Sequence, residues 1–211
     1  MPTWSTLLLF LLATAVLVAV PGPNHLYIVS RAVSQGRGAG LASAAGVETG
    51  TLIYSAAAAG GLAALIASSA TAYAVVRYLG LAYLVFLGVR ALRRDQGPAL
   101  GEPPAAVPLP RVYAEGVLVN VLNPKVALFF VAFLPQFVDP ARGPVAVQIG
   151  LLGVLMASIG LISDVAYALA GGSLGGLLNR RPEFLRRQRY LSAAIYLGLG
   201  VVAALSGRKG S

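Results

Sequence analysis

Long apolar runs separated by short polar stretches dominate the chain. A helix that crosses a bilayer needs about 20 mostly apolar residues, and six stretches of the sequence meet that requirement. They lie at about 4–29, 39–67, 71–92, 113–138, 145–178 and 190–206. The first stretch lacks the basic segment that precedes the apolar part of a signal peptide, so we expect it to remain attached. The pattern predicts an all-α integral membrane protein with about six transmembrane helices.

Composition agrees with a lipid-facing protein. Of the 211 residues, 57% are hydrophobic and 11% are charged, whereas soluble proteins carry roughly 25% charged residues. The chain has no cysteine and one histidine, which excludes disulfides, iron–sulfur clusters and thiolate zinc sites and argues against a histidine metal cage. We therefore expect no cofactor and no metal site.

Basic residues give a formal net charge of +9, and they concentrate between the apolar runs. Arg-rich loops are predicted at 30–38, 90–111 and 179–190. The positive-inside rule places these loops in the cytoplasm and both termini on the opposite side. A re-entrant span would reverse everything beyond it. No nucleic-acid-binding module accompanies the charge, so we expect no nucleic-acid partner.

A Pro- and Gly-rich stretch at 96–110 divides the chain into two halves. We treat 1–211 as a single transporter domain with halves at about 1–95 and 111–211. Each half has three predicted spans and opens with a span that contains prolines. Three spans per half would make the halves inverted in the membrane, which is typical of many secondary transporters.

The first predicted span is interrupted by four residues that disfavour a helix: Pro21, Gly22, Pro23 and Asn24. The prolines have no N–H to donate to the carbonyls of Leu17 and Ala19. Irregular backbone at membrane depth occurs only where it is buried in protein or lines a watery cavity. A helix starting beyond Pro23 would direct free N–H groups at an anion such as an α-carboxylate. The alternative is a simple proline kink.

The fourth predicted span is interrupted in the same way at Asn123 and Pro124. Pro124 is expected to free the carbonyl of Asn120, one turn earlier. Lys125 follows at once and precedes a long apolar run, at a depth where a charge costs about 2.5–3.5 kcal/mol on insertion scales. We predict that this region binds substrate. The alternative is that the lysine reaches an interface along its apolar stem.

Two carboxylates, Glu48 and Asp164, also lie deep within apolar runs. Either could bind an amino group or exchange a proton, and the alternative is a structural hydrogen bond between helices or pairing with Lys125. Glu115, near Arg111, is predicted to lie at a membrane interface. His25 is predicted to be a packing residue rather than a ligand-binding one.

The sequence contains no GxSxG, HExxH, Walker A or paired-carboxylate motif. We therefore expect no catalytic residues, no enzyme activity and no ATP-driven transport by this chain. The weaker alternative is an intramembrane enzyme.

Three stretches together resemble the LysE/RhtB family of amino-acid exporters over about residues 5–206. They are PGPNHLYIVSRAVSQGRGAGLASAAGVETGTLIY, VRYLGLAYLVFLGVRALRR and EGVLVNVLNPKVALFFVAFLPQFV. The specific feature is PGPN combined with NPK before FFxxFLPQFV. The resemblance implies a multi-pass protein of the cytoplasmic (inner) membrane that exports amino acids or close derivatives, driven by an ion gradient.

The family's most characteristic positions match ten residues of this sequence: Pro21, Gly22, Pro23, Asn24, Asn123, Pro124, Lys125, Pro135, Gln136 and Phe137. Many relatives also carry acidic residues near Glu48 and Asp164. The long Pro-rich linker and the Arg-dense stretch before the last span depart from the family pattern.

These observations predict a proton-coupled secondary exporter that works by alternating access. In this hypothesis the two breaks meet near the membrane midplane. Backbone groups and Lys125 hold the substrate carboxylate, while Glu48 or Asp164 binds the amino group or exchanges a proton. The alternatives are a channel, an exporter of another small metabolite or ion, or a structural membrane protein. Faces rich in small residues would permit a homo-oligomer.

Overall fold

The computed structural model describes residues 1–19, 21–68 and 105–180, with isolated positions at 71, 75, 78, 82, 86 and 89 between them. Within these residues every regular element is helical, which confirms the predicted all-α class. The α-helices are α1 (Trp4–Ala19), α2 (Pro23–Gln35), α3 (Arg37–Ser68), α4 (Leu109–Val121), α5 (Pro124–Leu128) and α6 (Val145–Arg180). A π turn, Phe129–Phe133, and a 3-10 turn, Leu134–Phe137, continue α5, and Pro140–Arg142 forms another 3-10 turn.

Several predictions from the sequence fall outside the described residues. They include the third and sixth spans, most of the linker, and most of the Arg-rich stretches at 90–111 and 179–190. By length and apolar composition, Val145–Gly171 within α6 qualifies as a membrane span, with a mean hydropathy of 2.3. Counting each of two bent helix pairs as one span raises the number of candidate spans in the described residues to three.

Both helix breaks fall at the prolines that the sequence singles out. The axes of α1 and α2 differ by 52° across the first break, and α4 and the segment Pro124–Phe137 differ by 49° across the second. Each helix beyond a break carries proline in its first turn, where a missing N–H costs nothing. Asn123 caps α5, since its side chain accepts a hydrogen bond from the Lys125 N–H at 3.0 Å.

The connection between α2 and α3 is shorter than the sequence suggests. The predicted loop at 30–38 is wrong as a loop, because α2 extends to Gln35 and α3 starts at Arg37. Gly36 alone joins them, with a φ of 85°, a backbone conformation that glycine adopts without a steric penalty. Arg31 consequently lies in the last turns of α2 and is buried.

The long helix α3 packs against α2, α4 and α6. Glycines bring α3 and α4 into backbone contact, because a Cβ atom at Gly46 would collide with the Tyr113 carbonyl and one at Gly116 with the Ser43 carbonyl. Close approach through small residues is a common way for membrane helices to associate. This crossing fixes the position of Glu48 and Thr51, two and five residues after Gly46 in α3.

An aromatic cluster forms the main apolar core. It consists of Phe10 from α1 with Phe129, Phe130, Phe133 and Phe137 from the segment after the second break, and it packs on α6. Neighbouring ring centroids are 4.9–6.1 Å apart. Tyr54 of α3 stacks on Phe130 at 5.6 Å. Of the family positions, Phe137 belongs to this core and Pro135 is buried beside it in the sequence. Neither they nor Gln136 lines the cavity described next.

Candidate functional site

The two helix breaks face a common cavity of about 40 Å³. Six of the ten predicted site residues line it: Gly22, Asn24, Glu48, Asn123, Lys125 and Asp164. The three prolines do not line it and instead shape the backbone around it, and Asn120 lies behind Asn24. Seven further lining residues are Leu17, Val18, His25, Thr51, Val126, Met156 and Gly160.

Lys125 connects α5 to the broken end of α1. Its Nζ donates a hydrogen bond of 2.7 Å to the Leu17 carbonyl, the carbonyl that Pro21 leaves without its usual helical partner. The Lys125 side chain is half-buried, and Gly22 lies beside it. The ammonium group therefore sits at the first helix break rather than at the end of a span.

Three asparagines bind the two breaks to each other and to α3. Asn123 Nδ2 donates to Asn24 Oδ1 at 2.7 Å, and Asn24 Nδ2 donates to Asn120 Oδ1 at 2.9 Å. Asn120 Nδ2 in turn donates to the Val47 carbonyl and to Thr51 Oγ1. Asn120 and Asn123 are buried, so each amide satisfies groups that water does not reach.

The backbone carbonyl of Asn120 departs from the prediction. The sequence suggests that Pro124 leaves this carbonyl free, but the Asn123 N–H donates to it at 3.0 Å. The chain tightens into a turn after α4, so the lost α-helical bond is replaced by one closer in sequence. Only the first break therefore offers its freed carbonyl to Lys125.

The two deep carboxylates come from different helices and meet in the cavity. Glu48 of α3 and Asp164 of α6 lie within hydrogen-bonding reach of one another. Gly160, one turn before Asp164, leaves room for the Glu48 carboxyl group, which a Cβ atom there would strike. Asp164 is buried and Glu48 is half-buried.

His25 also lies beside these carboxyl groups, so its prediction as a packing residue is incomplete. Its Nδ1 accepts a hydrogen bond from the Gly22 N–H at 3.2 Å. Its Nε2 is 3.5 Å from Asp164 Oδ1, and the Tyr167 ring covers the imidazole with centroids 4.4 Å apart. The first helix break therefore orients a histidine toward Asp164.

Comparison with known proteins places this chain in a family. The family model of the LysE type translocator matches residues 15–207. The chain belongs to this family. The family assignment confirms the resemblance found in the sequence, the membrane setting, and the expectation of a transporter rather than an enzyme.

Two relatives of this LysE type translocator cover nearly its full length, and a third covers more than half of it. An uncharacterised membrane protein of Vibrio cholerae is 30% identical over 198 residues, 93% of this chain and 95% of its own. A leucine efflux protein of Salmonella typhimurium is 27% identical over 192 residues, 90% of each chain. A leucine efflux protein of an Enterobacter species is 35% identical over 128 residues, 58% of this chain and 59% of its own. No solved structure matches.

A second polar group of the translocator joins the end of α2 to the start of α4. We call it the Arg31–Glu115 cluster, and it comprises Tyr27, Arg31, Gln35, Arg111 and Glu115. Arg31 Nη2 lies 2.5 Å from Glu115 Oε2, and Arg111 Nε lies 3.1 Å from Glu115 Oε1. The Tyr27 hydroxyl also donates to Glu115, at 3.3 Å.

The Arg31–Glu115 cluster also secures the chain that leads into α4. Arg31 Nη1 donates to the Ala105 carbonyl at 3.0 Å, and Gln35 Nε2 donates to the Val107 carbonyl at 2.8 Å. Glu115 therefore pairs with Arg111, its neighbour in the sequence, and also with Arg31, whose side chain is 7% exposed.

Sequence reasoning missed several residues of this site. Thr51 follows Glu48 by three positions and Gly160 precedes Asp164 by four, so each lies on the same helix face as its carboxylate. That spacing is a usable signal. For Val18, Val126 and Met156 there was none, because apolar residues in an apolar run look alike whether they face lipid or a cavity.

Proposed function

We propose that this translocator is a proton-coupled secondary exporter of amino acids or close derivatives across the cytoplasmic membrane. The observation that carries the proposal is the presence of opposite charges in one cavity, which is lined by Lys125 and by Glu48 and Asp164. A zwitterion carries the complementary pair of charges. The two helix breaks beside this cavity supply backbone N–H and C=O groups outside regular helix. Such groups occur within a membrane only where they are buried in protein or line a watery cavity.

The substrate carboxylate is held by Lys125 and the start of α2. The first backbone hydrogen bond of α2 runs from the Leu26 N–H to the Gly22 carbonyl, so the N–H groups of Asn24 and His25 have no partner within the helix. A helix N-terminus favours an anion. On binding, Lys125 exchanges the Leu17 carbonyl for the carboxylate.

The substrate side chain is aliphatic. Leu17, Val18, Val126 and Met156 supply the apolar part of the cavity lining, and burial of apolar surface favours a matching side chain. Some relatives are named leucine efflux proteins, which supports the same choice. Leucine is therefore the first amino acid to test.

Transport proceeds by alternating access. The cavity of about 40 Å³ has room for roughly three or four water molecules, since a cavity needs about 10–15 Å³ to hold one water molecule. Along both bent pairs, the aromatic cluster lies on one side of the break and the Arg31–Glu115 cluster on the other. We propose that these clusters close the two ends of the pathway and open in turn.

The Arg31–Glu115 cluster marks the cytoplasmic end. It contains Arg31 and Arg111, and basic residues favour the cytoplasmic side. Both termini then lie outside, and the chain makes six crossings in two inverted halves of one domain.

Efflux from living cells tests this proposal. Cells that express the translocator are loaded with mixed dipeptides, and excreted amino acids are quantified by mass spectrometry. Wild type is expected to excrete aliphatic amino acids faster than cells without the protein. Lys125→Ala is expected to lose this excess while still reaching the membrane, whereas Lys209→Ala, the other lysine of the chain, retains it. Equal excretion by Lys125→Ala and wild type would contradict the proposed role of Lys125.

A further inference from the structure

Glu48 and Asp164 are placed so that they cannot both carry a full charge without a compensating group between them. They lie within hydrogen-bonding reach, and like charges at such a distance repel strongly away from water. Glu48 Oε2 and Asp164 Oδ2 are buried and have no hydrogen-bond donor among the described residues. A hydrogen bond between two carboxyl groups requires a proton on one of them.

We infer that Glu48 and Asp164 form a single site that holds either one shared proton or the ammonium group of the substrate, and that His25 positions Asp164 within it. This inference rests on the proposed export of amino acids. It adds the identity of the coupling site, the number of protons and the reason for coupling, which is competition for the same two carboxyl groups.

The shared proton and the ammonium group each place one positive charge between the two carboxyl groups, which supports competition. With one proton the carboxyl pair carries a charge of −1, which Lys125 offsets. When a zwitterion binds from the cytoplasm, its ammonium group takes the place of the shared proton and its carboxylate pairs with Lys125, so the net charge of the site changes from zero to −1. The displaced proton leaves to cytoplasmic water. After the amino acid departs on the outer side, a proton from that side restores the pair. Each cycle then moves one amino acid out and one proton in.

His25 acts through Asp164. Because Nδ1 accepts the Gly22 N–H, the neutral imidazole carries its hydrogen on Nε2, and this atom faces Asp164 Oδ1 at 3.5 Å. An N–H directed at Oδ1 favours the ionised form of Asp164, so the shared proton resides on Glu48 and Asp164 accepts the hydrogen bond. The contact also links the pair to the first helix break, where the substrate carboxylate binds.

The other groups that face Glu48 and Asp164 are compatible with a shared proton on these two carboxyl groups. Lys125 of α5 supplies the positive charge, and Tyr167 of α6 covers His25. Leu17 and Val18 are the contributions of α1 to the cavity, and Thr51 of α3 adds a hydroxyl group beside Glu48. Among the described lining residues, the titratable groups are therefore His25, Glu48, Lys125 and Asp164.

The ratio of protons to amino acids tests the shared site without any substitution. The purified full chain is reconstituted in liposomes of phosphatidylethanolamine and phosphatidylglycerol, with the membrane potential clamped at zero. The pH difference that stops net leucine flux is then measured against a tenfold leucine gradient. One proton per leucine predicts a balance at about one pH unit, and two protons predict about half a unit. Balance at half a unit, or no effect of pH difference, would overturn the inference.

Single substitutions test whether both carboxyl groups belong to one site. Glu48→Gln and Asp164→Asn are each expected to reduce flux driven by a pH difference at least tenfold relative to leucine–leucine exchange, which needs no proton movement. Asp139 lies in an exposed turn and does not line the cavity. Asp139→Asn is therefore the matched control and is expected to keep both fluxes. If only one of the two variants lost proton drive, or if the ratio of the two fluxes stayed at the wild-type value in both, the shared site would be refuted.

Two substitutions at His25 separate positioning from packing. Glutamine offers an N–H donor at a position similar to Nε2, whereas alanine offers none. His25→Gln is expected to retain the one-proton ratio, and His25→Ala is expected to lower the ratio of proton-driven flux to exchange. Equal ratios in His25→Ala and wild type would contradict a positioning role.

The same experiments distinguish this inference from the proposed function. Leucine exchange by wild type without proton drive would refute the proton site and leave amino-acid transport intact. Absence of both fluxes for leucine and for the other aliphatic amino acids would refute the proposed function, and the shared site with it.

Discussion

The asparagines and the lysine in the centre of this translocator form hydrogen bonds from one helix to another. Asn24, Asn120 and Asn123 form a continuous chain of side-chain hydrogen bonds, and Lys125 reaches a carbonyl of another helix. Leaving a buried polar partner unpaired costs about 1–3 kcal/mol. The central residues therefore hold the two helix breaks in register as well as forming a candidate binding site.

Sequence alone identified most of these residues but not their partners. A lysine, two carboxylates and asparagines beside prolines stand out in an apolar chain because each is costly in lipid. The contact between Glu48 and Asp164 depends on how α3 and α6 are aligned, which no local pattern encodes. His25 was undervalued because a lone histidine carries no pattern of its own.

The addition of one methyl group at Gly160 tests the contact between α3 and α6. In Gly160→Ala, the new methyl group would collide with the Glu48 carboxyl group. Overpacking costs about 1–3 kcal/mol, which corresponds to roughly five- to 150-fold weaker leucine binding if the displaced carboxyl group binds the substrate. The half-saturating leucine concentration for transport is the measurement.

Gly150→Ala on the same helix is the matched control. No atom lies within 4 Å of a Cβ at that position, so leucine transport should match that of wild type. Equal half-saturation for both variants would show that the position of Glu48 is unimportant for substrate.

The helices of the translocator are interrupted at prolines, and α2 continues to Gln35, where polar contacts support its last turns. Proline acts locally, so both breaks could be predicted from the sequence. The extension of α2 to Gln35 could not, because polar residues near a predicted span end suggest a loop. In the structure, Arg31 and Gln35 are instead bound to Glu115 and to the chain before α4, and these contacts support the last turns of the helix.

Chemical cross-linking tests whether the Arg31–Glu115 cluster opens during transport. The chain has no native cysteine, so Arg31→Cys combined with Glu115→Cys provides a defined pair. A short bifunctional maleimide bridging α2 and α4 is expected to reduce leucine export at least tenfold, since the two helices can no longer separate. A monofunctional maleimide of similar size controls for the loss of the charges. Undiminished export after confirmed cross-linking would show that this end stays closed or is not the pathway.

At the scale of the whole molecule, the described residues form one helical assembly that encloses a cavity lined by both charged and apolar residues. Along both bent helix pairs the aromatic cluster lies on one side of the break and the Arg31–Glu115 cluster on the other, and the family assignment makes the assembly a translocator. Class and family were evident from the sequence, because apolar runs and the PGPN and NPK motifs extend over most of the chain. How the helices pack around the cavity was not evident from the sequence, because residues from several helices line it.

The most direct test of the account is leucine efflux from liposomes that contain only the purified chain. Labelled leucine is loaded at increasing concentration, and the initial rate of efflux is measured with a pH difference across the membrane. We expect a rate that saturates with leucine, depends on the pH difference and falls at least tenfold in Lys125→Ala but not in Lys209→Ala. A rate that rises linearly with leucine would indicate a channel, and a rate equal to that of empty liposomes for leucine and the other aliphatic amino acids would contradict amino-acid export.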